Sequence, residues 1–460
     1  MRKLITVWHC CAFAHTGISR IAHIHESYHR WVKDVGHVVK EILPEGDICV
    51  HVYHKDDFRA VNVNDGIRPL RKSHRVLAKY RRERPKVYNS AGLGASLDDD
   101  WVELRRMLTD AEKLLHLLFQ PYLEQITDDF INLVRIKLDE NNEINILRYL
   151  YRWALESFGL IAFNRRLNAL SEKVNKETDA LIHSARQMNE TIFLGNVCDY
   201  QRQYKRLIPV QDYFSKVMVT YMLEAVSDPD RDCLLNRLLE KGHNEKDVVT
   251  VILDMFQGAI SCIPLTLTWA LYHLSYSPDI FIQSRAREEL IEIMPNKDSR
   301  YYELNKPVQE YLFIKSRAPC VQAILRETLR LIPPTIGIGR VNREDLILGG
   351  YLVPAGNMII LQSQAACRLE EYFEQPLKFI PSRFMNLKEL NPELKINFPF
   401  GLGHRACVGF SFAHAQMIMA LSKILRNFEV SHHHEEVDVI NRLYNEPDRP
   451  ILLRMKPLEN

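Results

Sequence analysis

Apolar residues recur at three- and four-residue spacing along most of the chain, which is the period of an amphipathic helix. This pattern predicts helices over residues 99–119, 123–138 and 144–167. A longer apolar segment follows Asn244 and Asp247, which together resemble the capped start of a helix. We predict a helix over residues 245–276, which would be about 48 Å long at 1.5 Å per residue. An apolar helix of that length must lie at the centre of a domain.

Strand patterns are fewer than helix patterns. Short apolar or alternating runs bounded by turn residues predict strands within residues 47–53, 346–360 and 451–455. No stretch rich in Gly, Pro or Ser divides the chain. We therefore predict a mainly α-helical fold with small β-sheets, in which residues 26–460 form a single domain.

The first 25 residues have a different composition from the rest. They contain Arg2, Lys3 and Arg20, several hydroxyl side chains and no acidic residue before Glu26. A basic, acid-poor segment of this kind is typical of an organelle transit peptide. Histidines interrupt its apolar run, which is too short for a membrane span. We treat residues 1–25 as a separate N-terminal segment; a frayed or wrongly assigned start is the alternative.

The composition excludes several classes of protein. Apolar residues make up 46 % of the chain and charged residues 26 %, as in folded globular proteins. The 60 Lys and Arg against 58 Asp and Glu give a net charge of only +2, so nucleic acid is not an expected partner. Nine cysteines without a CxxC pair predict neither a disulfide framework nor a zinc ribbon.

The strongest chemical signal is a glycine-rich loop around Cys407, at residues 400–409, just before a helical pattern over residues 410–428. A thiolate near a helix N-terminus is stabilised by backbone N–H groups and the helix dipole. Glycines allow the backbone to approach a flat ligand, and Arg405 can pair with a carboxylate on it. A soft thiolate beside a cation suits a haem iron and its propionates.

Two other interpretations of this loop exist. Gly401, Gly403 and Ala406 have the spacing of a dinucleotide-binding fingerprint. That fingerprint needs a preceding strand and a following βαβ unit, whereas Pro399 precedes the loop and too little chain follows it. The remaining interpretation is a buried structural cysteine after a turn.

The loop does not stand alone, and the chain resembles the cytochrome P450 family over about residues 23–460. Residues 400–409 fit that family's Phe-x-x-Gly-x-Arg-x-Cys-x-Gly loop, residues 327–330 its Glu-x-x-Arg helix and residues 379–384 its Pro-x-Arg-Phe segment. The resemblance implies the cytochrome P450 fold (α+β), with a long central helix over a haem b group. It implies that Cys407 is the axial ligand of the haem iron.

Further residue roles follow from the same resemblance. Glu327, Arg330 and Arg383 are expected to form a buried ion network behind the haem. Trp101 and Arg105, one helical turn apart, together with Arg340 and Arg405, are expected to contact the haem propionates. The substrate pocket is expected to be bordered by mainly apolar residues, namely Phe256, Ala259, Ile260, Ile263, Thr335, Ile336 and Ile338.

Several stretches are similar to the animal mitochondrial-type branch of the family. Members of that branch take electrons from a ferredoxin-type donor, so we expect such a partner rather than a flavin reductase. Of the basic docking positions on the Glu-x-x-Arg helix, Arg326 retains one and Gln322 replaces the other, which would shift docking toward Lys315 and Arg317. We also expect a monomer with a mitochondrial location on the matrix side, in peripheral contact with the inner membrane.

The central helix departs from the family pattern at the residues that normally deliver protons to dioxygen. An acid and an alcohol are usual there, and this chain has Ser261 and Cys262. We predict that these two are catalytic, with protons arriving through Ser261 and ordered water or through a substrate hydroxyl. The expected activity is monooxygenation of a lipophilic small molecule (sterol, secosteroid, fatty acid or xenobiotic). A haem-thiolate isomerase or dehydratase, and a non-catalytic haem- and lipid-binding protein, are the alternatives.

Overall fold

The computed structural model describes residues 6–8, 21–43, 46–173, 175–228, 230–277, 279, 281–293, 318–385 and 396–458. Helices account for most of these residues, as the sequence predicts. The α-helices are α1 Ile24–Asp34, α2 Lys55–Asn64, α3 Arg75–Arg82, α4 Asp98–Lys137, α5 Ile146–Phe163, α6 Lys176–Val197, α7 Tyr200–Val226, α8 Leu234–Glu240, α9 Glu245–Ser275, α10 Ile282–Ile293, α11 Pro319–Leu331, α12 Ser363–Ala366 and α13 Phe410–Asn427.

The strands form four small sheets. They are β1 Thr6–Trp8, β2 Val38–Ile42, β3 Ile48–Val52, β4 Glu143–Asn145, β5 Ile338–Val341, β6 Leu346–Leu348, β7 Tyr351–Val353, β8 Met358–Leu361, β9 Phe428–Ser431, β10 Val439–Arg442, β11 Tyr444–Pro447 and β12 Leu452–Pro457. The largest sheet has the order β1-β2-β3-β8-β5, and the others are β4-β12-β9, β6-β7 and β10-β11. The predicted mainly α fold with small sheets is confirmed.

Helix α9 is the centre of the molecule, as its length and apolarity predict. It begins where the Asn244 side chain accepts a hydrogen bond from the Lys246 N–H, which caps the helix. It packs against α5, α11 and α13, and most of its side chains are buried. Within the described part of the chain it is the one helix that is long and apolar enough to cross a membrane. Its apolarity is that of a core helix, because its surroundings are other helices of the same domain.

The other predicted helices are also present, with one difference. The sequence predicts two helices over residues 99–119 and 123–138, whereas the structure has the continuous helix α4 from Asp98 to Lys137. Packing of α4 against α5 and α13 holds both halves on one axis. This tertiary support outweighs the local break that the sequence pattern indicates.

The N-terminal region joins the largest sheet. Strand β1 lies inside the segment predicted as a transit peptide and pairs in parallel with β2, with Val7 opposite Glu41. Ile21 and Ile24 are buried against Tyr28, and helix α1 begins at Ile24. The predicted boundary between residues 25 and 26 therefore falls inside α1, because amphipathic packing continues across it.

Candidate functional site

The loop around Cys407 is a tight turn closed by backbone hydrogen bonds. The Cys407 N–H donates to the Phe400 carbonyl at 2.7 Å, and the Ala406 N–H donates to the Gly403 carbonyl at 3.0 Å. Gly401 and Gly403 have φ values of +82° and +64°, which other residues adopt with strain. The Cys407 side chain is exposed, three residues before α13 begins. The loop therefore presents a sulfur atom outward from its tip.

Behind this loop, a carboxylate is held between two guanidiniums. Glu327 accepts two hydrogen bonds from Arg330, at 2.7 and 2.8 Å, and one from the Arg383 Nε at 3.1 Å. Glu327 and Arg330 are both fully buried. Arg330 also donates to the carbonyls of Cys367 and Pro376, at 2.8 and 2.7 Å. The structure thus brings the three predicted residues together, and they tie α11 to the irregular chain that follows α12.

Arg105 and Trp101, two of the predicted propionate-binding residues, contact the loop from α4, and a third, Arg405, belongs to the loop. Arg105, on α4, donates to the Ala406 carbonyl at 2.9 Å. Arg405 donates to the Ser96 carbonyl, and its guanidinium lies 4.8 Å from the centre of the Trp101 ring. Trp101 is buried. The N-terminal part of α4 and the cysteine loop therefore pack together into one continuous surface, which we call the wall.

Arg405 has unused donors on this wall. Its Nε and Nη1 atoms are buried without a hydrogen-bond partner among the described residues, and so is the Nε of Arg71. Burial, followed by the charges of Arg71 and Arg340, lowers the pKa of Arg405 to about 9. Burial and the charge of Arg340 lower the pKa of Arg71 to about 10. Positive charge exceeds negative charge in this cluster even with Asp65 beside it, so an anionic group would complete it.

Arg340 is the third predicted propionate ligand, and in the structure its donors are already in use. It forms an ion pair with the buried Asp65 and donates to the carbonyls of Gly339 and Leu402, both at 2.9 Å. Its charge still acts on Arg71 and Arg405. Arg340 therefore adds positive potential to the arginine cluster and fixes the loop by its hydrogen bond to the Leu402 carbonyl.

Helix α9 presents three different faces in the segment where the sequence departs from the family pattern. Gly258, Ala259 and Cys262 are only partly buried, although they lie in the middle of a buried helix. They recur at helical spacing and share one face. We call this partly buried face the distal face.

The charge of Cys407 acts on residues at the distal face, which indicates that this face lies near the cysteine loop. The pKa of Cys262 is raised to about 12, by burial first and then by the charge of Cys407, while a hydrogen bond from Tyr444 acts in the opposite direction. Tyr444 is the first residue of β11, and the charge of Cys407 acts on it as well. Cys262 and Tyr444 therefore approach the same space as Cys407.

Ser261 lies on a second face of α9, directed at α6. It accepts a hydrogen bond from the Asn189 side chain at 2.8 Å, and Asn189 accepts one from Gln257 at 2.9 Å. All three side chains are at least nine-tenths buried. The structure therefore separates the two predicted catalytic residues: Cys262 lies on the distal face, and Ser261 belongs to a neutral polar bridge between α9 and α6.

The predicted pocket residues are divided in the same way. Phe256 packs against the rings of Phe158 and Phe214, at centroid distances of 4.8 and 6.1 Å, and belongs to an aromatic cluster with α5 and α7. Ile260 and Ile263 lie on the same buried face of α9 as Phe256. Of the predicted pocket residues, those that are partly buried are Ala259, Thr335, Ile336 and Ile338.

Sequence analysis did not identify Asn189, Tyr444 or Arg71 as site residues. Each reaches the site from an element far away in the chain, and none belongs to a short motif. The alternation of polar and apolar residues in β10 and β11 gave no indication that Tyr444 points inward. These contacts depend on tertiary packing.

The residues present fit a flat, dianionic group that carries a metal ion with affinity for sulfur. The exposed Cys407 supplies a soft ligand, and the partnerless nitrogens of Arg405 and Arg71 supply donors for carboxylates. Gly258 and Ala259 leave room above, since no atom lies within 4 Å of the position of a Cβ at Gly258.

Comparison with known proteins gives an independent result. The protein-family model described as Cytochrome P450 matches residues 6–454. The chain is 28 % identical over 455 residues to "Cytochrome P450 302a1, mitochondrial" of Drosophila melanogaster, which covers 94 % of this chain and 89 % of that protein. It is 28 % identical to "Probable cytochrome P450 12b2, mitochondrial" and 29 % identical to "Probable cytochrome P450 12d1 proximal, mitochondrial" of the same organism. These two matches each cover 83 % of this chain, and 75 % and 76 % of the respective relatives.

Proposed function

The chain belongs to the cytochrome P450 family and is a haem-dependent monooxygenase, and from this premise we propose its substrate class, its electron donor and the roles of its residues. We propose that it inserts one oxygen atom from O2 into a lipophilic small molecule, with electrons from a ferredoxin-type donor. The observation that carries this proposal is the exposed Cys407 in its glycine turn, two residues after Arg405, whose buried Nε and Nη1 have no hydrogen-bond partner among the described residues.

In this proposal, the chain's own residues have distinct tasks. Haem b, when bound, supplies the activation of dioxygen. Cys407 is its thiolate ligand, held by the turn and by the Arg105 bond to Ala406. Arg405, Arg105 and Trp101 bind the haem carboxylates, and Arg340 adds positive potential. Glu327 with its two arginines keeps the segment behind the loop in place.

Removing the haem carboxylates tests the arginine cluster. Haem dimethyl ester, which lacks both negative charges, should bind the apoprotein about 10²-fold more weakly than haem, because charge-assisted hydrogen bonds contribute about 1.5–3 kcal/mol each. Binding is measured by quenching of tryptophan fluorescence. The loss of affinity on going from haem to its dimethyl ester should be smaller in Arg405→Gln than in the wild type. The substitution and the esterification remove the same interaction, so their effects should not add. Equal affinity of the wild-type protein for both porphyrins would contradict this role.

The lining of the distal space favours an apolar substrate. In this proposal the partly buried Ala259, Ile336 and Ile338 border it, with Thr335 and the Tyr444 hydroxyl as the polar groups. A pocket of this kind binds by apolar burial and orients its ligand with a few polar contacts. Sterols, secosteroids, fatty acids and apolar xenobiotics share this chemistry, and a hydroxyl on the substrate has Tyr444 within its reach.

The neutral bridge takes the place of the usual acid in our proposal. Asn189 donates to Ser261, which leaves the Ser261 proton available to ordered water. Ser261→Ala should therefore slow turnover about 10-fold, since positioned proton transfer is worth 10²–10⁴-fold when it is direct. Cys262→Thr should lower peroxide release, because a hydroxyl is a better hydrogen-bond donor than a thiol. NADPH consumption, peroxide and product are measured together in a coupled assay.

A matched variant separates this role from packing. Asn189→Leu keeps the volume but removes the donor to Ser261, and it should reproduce the loss seen in Ser261→Ala without adding to it. Coupling of electrons to product that is unchanged in Ser261→Ala and Cys262→Thr would remove the proposed proton route.

The electron donor and the location are inferred from the relatives. The names of these relatives place them in mitochondria, and we propose the same for this chain, with a ferredoxin-type donor on the matrix side and peripheral contact with the inner membrane as a monomer. Among the predicted docking positions, Arg326 is partly exposed but Gln322 is buried, so Gln322 cannot belong to a docking surface. Lys315 and Arg317 lie outside the described residues.

Three measurements separate the candidate functions. Product formation that needs both a ferredoxin system and O2 supports the monooxygenase with the proposed donor. Reaction with a lipid hydroperoxide alone would indicate an isomerase or dehydratase, and a ligand-induced spectral shift without turnover would indicate a binding protein. Turnover with a flavin reductase but not with ferredoxin would overturn the proposed donor alone.

A further inference from the structure

Three metal-ligating side chains meet on one face of the largest sheet, far along the chain from the cysteine loop. Glu41 on β2 lies opposite Cys49 on β3, and His51 follows two residues later. Residues two apart in a strand point to the same side of the sheet. A carboxylate oxygen, the thiol sulfur and a ring nitrogen of these three residues all lie within 4.8 Å of one another.

This cluster is buried. Glu41 and His51 are each 1 % exposed and Cys49 is 2 % exposed. The rings of Tyr28 and Trp31 on α1 cover His51, at centroid distances of 4.7 and 5.3 Å. Ionisable groups are rarely buried so completely unless they are paired or bind a metal ion.

Two polar atoms next to the cluster have no hydrogen-bond partner among the described residues. His51 Nε2 contacts Glu41 at 2.8 Å, and His51 Nδ1 contacts the Gln362 amide nitrogen at 2.8 Å. The Gln362 amide oxygen and the Tyr53 hydroxyl are buried without a hydrogen-bond partner among the described residues. Tyr53 is completely buried, and the charges of Glu41 and Cys49 both act on it. Tyr53 directly follows β3 and lies two residues beyond His51, so the alternation of an extended chain places its side chain on the same side as Cys49 and His51. A fully buried hydroxyl that has no partner among the described residues and lies on the side of this cluster indicates a missing group.

We propose that Glu41, Cys49 and His51 bind a structural Zn²⁺ ion beneath α1, with the Tyr53 hydroxyl in the fourth position, directly or through one water. Thiolate, imidazole and carboxylate together form a donor set typical of zinc. The thiolate and the carboxylate carry two negative charges, which neutralise the ion inside a buried site. Turning the Gln362 amide lets its oxygen accept the His51 Nδ1–H, which directs the Nε2 lone pair at the metal.

Zinc binding replaces the hydrogen bond between Glu41 and His51. The ring proton of His51 moves from Nε2 to Nδ1, only the thiol proton leaves to solvent, and bonds from the ion to oxygen, sulfur and nitrogen take the place of the lost contacts. The ion would connect β2 to β3, and through Gln362 it would also reach the end of β8. Because no ligand is exposed, loading should occur during folding and the bound ion should resist chelators.

The test uses the full-length holoprotein, expressed in zinc-supplemented medium and washed with a chelator to remove surface metal. Elemental analysis should give about one zinc per chain. X-ray absorption at the zinc edge should show one sulfur at about 2.3 Å and nitrogen or oxygen at about 2.0–2.1 Å. Zinc below about 0.1 per chain, or a zinc shell without sulfur, would overturn the proposal. The absorption measurement needs no variant and is therefore independent of any folding defect.

Two cysteine variants provide the comparison. Cys49→Ala should lose the zinc while the haem content stays unchanged. Cys233→Ser is the matched control, because Cys233 is equally buried, lies outside the cluster and occupies a helix N-cap, which serine suits. It should retain one zinc. Zinc retained by Cys49→Ala would contradict the assignment and would point to surface groups such as His23, Glu26 and Asp438, which offer no sulfur.

Discussion

Replacing Cys407 with serine should lower turnover by at least about 10³-fold, which corresponds to about 4 kcal/mol of transition-state free energy. The sulfur donates electron density that favours cleavage of the O–O bond, and a hydroxyl does not replace it. The contacts of Arg105 and Arg405 do not involve the sulfur, so the variant should still take up haem. The reduced carbon monoxide complex should absorb at shorter wavelength than in the wild-type protein.

The control for this variant is Cys233→Ser, which changes a cysteine that is buried at a helix start away from the loop. Its turnover and its carbon monoxide spectrum should match those of the wild type. A Cys407→Ser protein with a wild-type spectrum would show that another residue binds the iron, and the proposed site would then be wrong.

Neutralising Glu327 should cause the largest loss of stability. Glu327→Gln removes a fully buried charge from between Arg330 and Arg383, and it leaves the buried guanidinium of Arg330 without compensation. Breaking a buried ion pair on one side costs about 3–5 kcal/mol. We expect the free energy of unfolding, measured in urea by far-ultraviolet circular dichroism, to fall by that amount, together with lower haem occupancy.

An exposed ion pair provides the matched control. Glu435 pairs with Arg449 on the surface, where the Glu435 side chain is 88 % exposed. Glu435→Gln should change the free energy of unfolding by less than about 0.5 kcal/mol. The free energy of unfolding should fall less in the double variant Glu327→Leu with Arg330→Met than in Glu327→Gln, because the double variant leaves less buried charge uncompensated. A loss below 1 kcal/mol in Glu327→Gln would contradict the role that we assign to the network.

The sequence predicted those parts of the fold that depend on local periodicity. The central helix was predicted to within one residue, with its Asn244 cap, because an apolar run bounded by a capping residue is a local signal. The Glu327, Arg330 and Arg383 network and the Cys407 loop were found through motifs with defined spacing. Their geometry in the structure agrees with that expectation, and haem b is the cofactor of the family to which the chain belongs.

The predictions that the structure changed concern the direction of side chains around α9. Ser261 and Cys262 are adjacent in sequence and were assigned one task, yet consecutive residues on a helix point about 100° apart. Which of them faces the distal space depends on how α9 is rotated against α6, and no local pattern encodes that rotation. Phe256 was assigned to the pocket by resemblance to the family, whereas in the structure it packs against the aromatic side chains of α5 and α7.

The strand that carries Cys49 and His51 illustrates a different limit. Alternation within residues 47–53 predicts that both point to one side of the sheet, which the structure bears out. It does not reveal that this side is buried as completely as the side of Val50 and Val52, because the covering rings of Tyr28 and Trp31 come from a separate helix. A polar residue at an inward position resembles one at a solvent-facing position until its neighbour is known.

The hydrogen-bonded bridge from Gln257 through Asn189 to Ser261 has a consequence for the order in which substrate enters and protons are supplied. It spans two helices, so any outward movement of α6 relative to α9 separates Asn189 from Ser261. A ligand that enters by displacing α6 would leave the Ser261 hydroxyl without the hydrogen bond that orients it until the helix returns. Admission of substrate and supply of protons would then be mutually exclusive, so turnover would begin only after α6 has returned over the bound substrate.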